Sequence, residues 1–186
     1  DYRLQKAKKT IGYVRQNGGI SIVMSHLGRP GKAKSNEERN KLKMDPIYDW
    51  FVENIGGNII KLDVVTGQEL IDAIKAAKPG DIIIIENIRF DKREKMNDET
   101  LAKELADLLD GYISDAFGRV HRAHVSTDAL VREMVSQGKP ITIGYLIEEK
   151  VTALNKLMND SKKPVVAIMG GSKVTDKIAV FESLMD

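Results

Sequence analysis

Between Ser114 and Ser126 the chain reads SDAFGRVHRAHVS, placing Arg119, His121, Arg122 and His124 within six residues, directly after the short apolar run Gly111-Tyr112-Ile113. A loop of this composition is suited to holding an anion. Guanidinium groups offer a planar fork of donors that grips phosphate or carboxylate in a bidentate way, and imidazole adds a further donor. Each residue also has a plainer use, since an isolated histidine is often structural and an isolated arginine is often solvated. On local composition alone the two readings stand level.

Three other clusters share the pattern. Ser25-His26-Leu27-Gly28-Arg29-Pro30 follows the β-branched run Ile20–Met24, and Asn87-Ile88-Arg89-Phe90 follows Asp81–Glu86. Gly170-Gly171-Ser172-Lys173 follows Val165–Met169, with Lys177 one helical turn further on. All three histidines, His26, His121 and His124, lie in such loops together with Arg29, Arg89 and Arg122. Chance placement would scatter them. Several arginines on one rim bind a small, doubly anionic molecule better than a long polymer. Two readings stay open for Arg89, the other being an ion pair with Glu86 or Asp91, and His26 has a cap on its own loop as its alternative. Bare glycine amides at a helix start bind phosphate, and lysines four residues apart share a helical face. The stretch is neither GxxxxGK[ST] nor GxGxxG, and a plain tight turn is an equal reading of its two glycines. No Ser-His-Asp or Cys-His set stands out, and no helix carries histidines at metal-ligand spacing, so a hydrolase has little support. A rim of anion grips with a phosphate-type loop suits phosphoryl transfer, in which the protein positions groups and neutralises charge.

The elements that would position these clusters alternate along the chain. The spacing of Leu4, Ala7, Ile11 and Val14 predicts a helix over Tyr2–Gln16, stopped by Gly18-Gly19, with a strand over Ile20–Met24 after it. Gly31–Lys43 is highly polar and reads as a mobile surface loop. Asp45-Pro46 opens a helix through Ile55, with Asp45 as N-cap. A strand over Asn58–Leu62 and a helix over Gln68–Ala77 follow. The unbroken apolar run from Ile82 to Ile85 implies burial on both faces, which marks a parallel sheet. A helix from about Asn97 to Leu109, a strand over Gly111–Ser114, a helix over Thr127–Gln137, a strand over Ile141–Ile143 and a helix over Ile147–Met158 complete the series before Val165–Met169. No internal repeat is visible. The fold class is α/β, a three-layer Rossmann-like parallel sheet with helices on both faces. Such folds bind ligands at the carboxyl ends of their strands, where all four clusters fall.

The chain has 186 residues, enough for one large domain or one and a fraction. Its 29 basic and 27 acidic residues leave a formal charge of +2, so any anion site is local and no global field attracts nucleic acid. The absence of cysteine excludes disulfides, thiolate nucleophiles and cysteine-held metals, and leans towards a cytoplasmic setting. No run approaches the roughly 20 apolar residues of a membrane span. The chain opens on Asp1-Tyr2-Arg3 without Met and closes on Asp186 in mid-pattern, so both ends read as cut.

Taken together, SHLGRP at 25–30, ENIRF at 86–90, DAFG with HRAH at 115–124, and GGSKVTDK at 170–177 resemble the phosphoglycerate kinase family, in the family's order and over essentially the whole chain. The resemblance implies a two-domain glycolytic transferase moving a phosphoryl group between 1,3-bisphosphoglycerate and ADP, giving 3-phosphoglycerate and ATP, with magnesium carried by the nucleotide. By that resemblance Arg3 and Lys173 are catalytic, and Arg3, His26, Leu27, Gly28, Arg29, Arg89 and Arg122 hold 3-phosphoglycerate. Gly170, Gly171, Ser172, Lys173 and Lys177 are nucleotide-binding. Residues 1–144 would form the substrate domain, 145–160 the interdomain helix, and 161–186 the first strand and helix of the nucleotide domain. His121, His124 and Asp115 would shape their loop.

Departures from the family pattern accompany the match. The family's first strand and most of its second domain, including the acid of the magnesium site, have no counterpart in the chain. Ser114 stands where Asn is usual, and Arg119-Val120 replaces a smaller Thr-Ala pair. The parent would be a monomeric cytoplasmic enzyme without nucleic-acid or membrane partners, and this segment by itself would be inactive. The alternative from another class is a non-catalytic binding module for a small phosphorylated metabolite.

Overall fold

A computed structural model describes residues 2–159 and Val166. The strand predicted over Val165–Met169 and the turn at Gly170–Lys173, with Lys177, lie outside the described residues. Two compact units are distinguished, Asp1–Ile147 and Glu148–Asp186. The boundary falls three residues beyond the predicted 144, inside a helix.

In chain order the elements are α1 (Tyr2–Gln16), β1 (Ser21–Val23), α2 (Asn36–Asn40), α3 (Asp45–Asn54), β2 (Ile59–Lys61), α4 (Gln68–Ala76), β3 (Ile82–Ile84), α5 (Arg93–Met96), α6 (Glu99–Ala106), β4 (Tyr112–Ser114), α7 (Leu130–Ser136), β5 (Ile141–Ile143) and α8 (Tyr145–Asn159). Among the described residues every strand pair is parallel. β3 lies between β1 and β2, with Ile83 opposite both Ile22 and Ile60, while β4 pairs with β5 as Ile113 opposite Thr142. No ladder joins the two sets among the described residues, so the expected parallel sheet is built as three strands plus two.

The isoleucine run of β3 is buried on both faces, and strand alternation sends its side chains to two separate cores. Ile82 and Ile84 pack with Met44 and Phe51 against Leu4 and Ile11 of α1 and Ile47 and Trp50 of α3. Ile83 and Ile85 pack with Leu70 of α4, Leu101 and Leu105 of α6, and Leu130 and Met134 of α7. Helices therefore cover both faces of the three-stranded sheet.

Four boundaries differ from the sequence reading. The polar stretch after Pro30 is structured. It forms a 3-10 turn at Pro30–Lys32 and then α2, whose N-cap Ser35 accepts from the Glu38 N–H at 3.1 Å. The N-cap of α3 is Met44, not Asp45, because the Asp45 carboxylate turns to Lys61 at 3.2 Å. The helix expected from about Asn97 is α6, which starts at Glu99, and an unexpected short helix, α5, precedes it. Asn97 adopts a left-handed φ of 55° that ends α5, and Asp98 caps α6 anew. Likewise a π-helical turn at Val125–Ala129 leads into α7.

Candidate functional site

Because β1 and β3 are parallel neighbours, the loops that follow them leave the sheet on one edge, and the Ile88 N–H donates to the Ser25 carbonyl at 3.1 Å to tie those loops together. Arg89 stands on the second loop, in a 3-10 turn, with only 9% of its surface exposed. Its Nη1 donates to the Gly28 carbonyl at 3.0 Å, while its Nε is buried without a hydrogen-bond partner. Neither alternative acid takes it. Asp91 pairs with Arg93 at 2.8 Å and Glu86 faces Lys61 at 3.4 Å. Burial, and after it the charge of Arg119, lowers the Arg89 pKa below the usual guanidinium range; Glu94 opposes, and Arg29 and Arg122 add to the lowering. Arg89 stays cationic, so the direction reports its burial together with neighbouring positive charge that Glu94 only partly offsets.

His26, half-buried at the end of β1, feels the same field. Burial and then Arg89, Arg119, His124 and Arg3 push its pKa down to about 4, which leaves the imidazole neutral at pH 7. It therefore enters the rim as a neutral hydrogen-bonding group. His124 is lowered too, by burial first, with Glu94 pulling the other way. The Glu94 carboxylate, nearly buried, accepts from the Ser126 N–H at 2.9 Å and the Ser126 hydroxyl at 2.7 Å, and lies 3.6 Å from His124 Nδ1. It caps the π-helical turn and so anchors the carboxyl end of the Ser114–Ser126 loop.

The amino end of that loop is anchored by Asp115. Its Oδ1 accepts from the N–H groups of Leu146 (2.9 Å) and Ile147 (3.2 Å), and its Oδ2 accepts from the Thr10 hydroxyl at 2.6 Å. Thr10 in turn accepts from the Tyr145 N–H at 3.1 Å. Asp115 thus caps α8 from a distance and holds its own loop at that end. Between the anchors, Arg119 is half-buried, and the exposed Arg122 donates through Nε to His121 Nε2 at 3.0 Å.

The predicted rim residues fall into two groups. Arg3 and Arg89 act on His26, and Arg29 and Arg122 act on Arg89, with Arg119 acting on both and His124 on His26. Leu27 and Gly28 contribute carbonyls that hold the rim in place. Sequence reasoning missed Glu94, Thr10 and the structural use of Glu86. Among the described residues, no group of three or more histidine, aspartate or glutamate side chains could hold a metal ion. No described residue is therefore assigned to magnesium. Among those residues, too, no helix is long and apolar enough to cross a membrane.

A neutral-to-basic rim at the carboxyl edge of a parallel sheet suits a compact anion, and comparison with known proteins agrees with the order of the motifs around it. The family model for phosphoglycerate kinase matches residues 1–186. The chain belongs to the phosphoglycerate kinase family. Among curated relatives, phosphoglycerate kinase from Herpetosiphon aurantiacus is 40% identical over 185 residues, covering 100% of this chain and 45% of its own length. The chloroplastic phosphoglycerate kinase of Volvox carteri is 38% identical over 186 residues, covering 100% of this chain and 38% of its own. Of solved structures, phosphoglycerate kinase from Coxiella burnetii superposes with a TM-score of 0.77 at 32% identity, over 98% of this chain and 43% of that one. The Pyrococcus horikoshii phosphoglycerate kinase gives a TM-score of 0.84 at 25% identity, over 100% and 45%. The chain thus spans less than half the length of the phosphoglycerate kinases it matches.

Proposed function

We propose that the rim formed by Arg3, His26, Arg29, Arg89 and Arg122 binds 3-phosphoglycerate, or the glycerate end of 1,3-bisphosphoglycerate, as the acceptor half of a phosphoglycerate kinase. The carrying observation is Arg89, whose buried guanidinium has an unpartnered Nε and a positive surround that Glu94 only partly offsets. A buried donor without a partner costs about 1–3 kcal/mol, and an incoming phosphate or carboxylate relieves that cost. Arg29 and Arg122, both exposed, supply mobile bidentate grips, and neutral His26 supplies one hydrogen bond without repelling the arginines.

In the parent enzyme the reaction moves a phosphoryl group from the acyl phosphate of 1,3-bisphosphoglycerate to ADP in cytoplasmic glycolysis, with magnesium carried on the nucleotide. Arg3 would stabilise charge on the group in transfer. Lys173, with Gly170, Gly171, Ser172 and Lys177, would serve the nucleotide side; these residues lie outside the described part of the chain. On the same reading residues 1–144 are the substrate domain, 145–160 the interdomain helix and 161–186 the beginning of the nucleotide domain of a monomeric parent. Transfer needs closure of two domains around the phosphoryl group. The 186-residue chain therefore binds the acceptor weakly and has no kinase activity of its own.

The test is calorimetric titration of the purified chain with 3-phosphoglycerate, beside glycerol 3-phosphate and phosphoenolpyruvate, together with a coupled ATP-forming assay. The expected result is preference for 3-phosphoglycerate, loss of binding by about tenfold in Arg122→Ala and Arg29→Ala, and no ATP formed. Equal affinity for the three ligands would favour a general phosphometabolite module. ATP formation by the chain alone would overturn the need for a second domain.

A further inference from the structure

The loop that carries His26 and Arg29 is long, polar and mostly exposed, yet Glu86, Asn87, Arg89 and Phe90, shortly after β3, hold it at five places. Asn87 is completely buried and spends every polar atom of its side chain. Its Nδ2 donates to the Leu27 carbonyl at 2.8 Å and to the Leu42 carbonyl at 2.7 Å, and its Oδ1 accepts from the Arg89 N–H at 3.1 Å. One amide therefore closes the two ends of the loop on each other and fixes the turn that presents Arg89. Glu86, 2% exposed, holds the amide in place, because its Oε1 accepts from the Asn87 N–H at 2.6 Å and from the Met44 N–H at 2.9 Å. Further out, Arg89 donates to the Gly28 carbonyl, and Arg39 donates to the Phe90 carbonyl at 3.3 Å while lying 4.2 Å over the Phe90 ring. Gly28 has a positive φ of 60°, and its missing Cβ is replaced by the Leu42 side chain, so the loop's two ends also pack together.

We propose that Asn87, braced by Glu86, is a positioning residue for anion capture: it sets the distance between Arg29, on the loop, and Arg89, on the turn, by tying Leu27, Leu42 and the Arg89 backbone to one buried amide. The proposal rests on the reading of the rim as a phosphoglycerate site. It deepens that reading by naming the group that fixes its geometry without touching the ligand. The chemistry is specific to an amide. Aspartate has the same shape but would set a carboxylate oxygen against two carbonyl oxygens, replacing two attractions by two repulsions. Serine is too short to span both carbonyls and adds no charge. In either variant the loop from His26 to Lys43 detaches while the isoleucine core below it stays intact.

Two measurements on the full chain decide the matter, with Asn87→Ser retained in case Asn87→Asp does not fold. In amide hydrogen exchange, the variants should raise exchange across residues 26–43 by about tenfold or more while Ile83 and Ile84 change by less than about twofold. Unchanged loop exchange, or an equal rise at Ile83, overturns the proposal. In titrations with 3-phosphoglycerate, Asn87→Ser should weaken binding by about tenfold, and adding Arg29→Ala should cost less than about twofold more, because Arg29 has already lost its register. Fully additive losses overturn the proposal, since they mean that Arg29 grips the ligand independently of Asn87. If the wild-type chain binds no 3-phosphoglycerate, the functional reading fails, and the exchange measurement alone decides whether Asn87 positions the loop.

Discussion

His26 sits among Arg89, Arg119, His124 and Arg3, and its low pKa makes two measurable statements about the rim. The folded pKa, about 4, lies below the ordinary value near 6.5, so between those limits the unfolded chain binds the extra proton. Stability from this residue is therefore complete above pH 6.5 and is lost as the pH falls towards 4. Allowing for the solvent that screens a half-buried side chain, the loss by pH 5 is about 1 kcal/mol. Urea unfolding at pH 7 and pH 5 should show that difference shrinking in His26→Gln, and an unchanged difference would assign the pH effect elsewhere. The second statement concerns ligand. An anion on the rim offsets the arginine field, so the His26 NMR titration midpoint should rise when 3-phosphoglycerate is added. A midpoint near 6.5 in the free chain would mean that the arginines stand well away from the imidazole.

At the scale of elements, the start of α8 depends on a carboxylate from another part of the chain. Asp115 takes the N–H groups of Leu146 and Ile147 and the Thr10 hydroxyl, and a Cβ on Gly144 would stand 2.3 Å from the Asp115 carboxyl carbon. The carboxylate cannot swing aside without giving up three hydrogen bonds. Asp115→Ala should cost about 1–2 kcal/mol as a lost cap, and Gly144→Ala about 1–3 kcal/mol as overpacking. The double variant should cost less than the sum by about 1 kcal/mol, because truncating Asp115 makes room for the new methyl. Urea unfolding followed by circular dichroism measures all three, and strict additivity would separate the two residues. The same clamp explains why the sequence placed this helix start two residues late. Asp115 lies 31 residues before Leu146, and local pattern carries no trace of a cap supplied from that far away. The stop of α5 at Asn97 and the helix start at Met44 escaped for the same reason, since each is held by a partner distant in sequence: Asp128 and Ala129 for Asn97, Glu86 for Met44. What could be read locally was periodicity, and the β3 isoleucines and the α1 stripe were legible because burial alone dictates them.

For the whole molecule, the near balance of charge hides a concentrated rim. The sequence exposed its residue types because parallel strands deliver their loops to one edge, so His26, Arg89 and Arg122 could be grouped without any distance being known. It could not show that Arg89 would lose both candidate acids to Lys61 and Arg93, nor that His26 would be neutral, since both follow from packing. A rim left positive in this way should convert anion binding into stability by mass action, reaching about 2.7 kcal/mol at a ligand concentration one hundred times Kd. Phosphate also stabilises proteins by exclusion from their surface, so a rise in melting temperature alone decides nothing. The comparison that decides is Arg122→Ala, whose exposed side chain should leave the unliganded stability within about 0.5 kcal/mol of wild type. Exclusion acts on both proteins alike, whereas site binding acts through the rim. The melting-temperature gain from 3-phosphoglycerate over sodium chloride at equal ionic strength should therefore be markedly smaller in the variant, and equal gains would show that the rim does not hold the ligand.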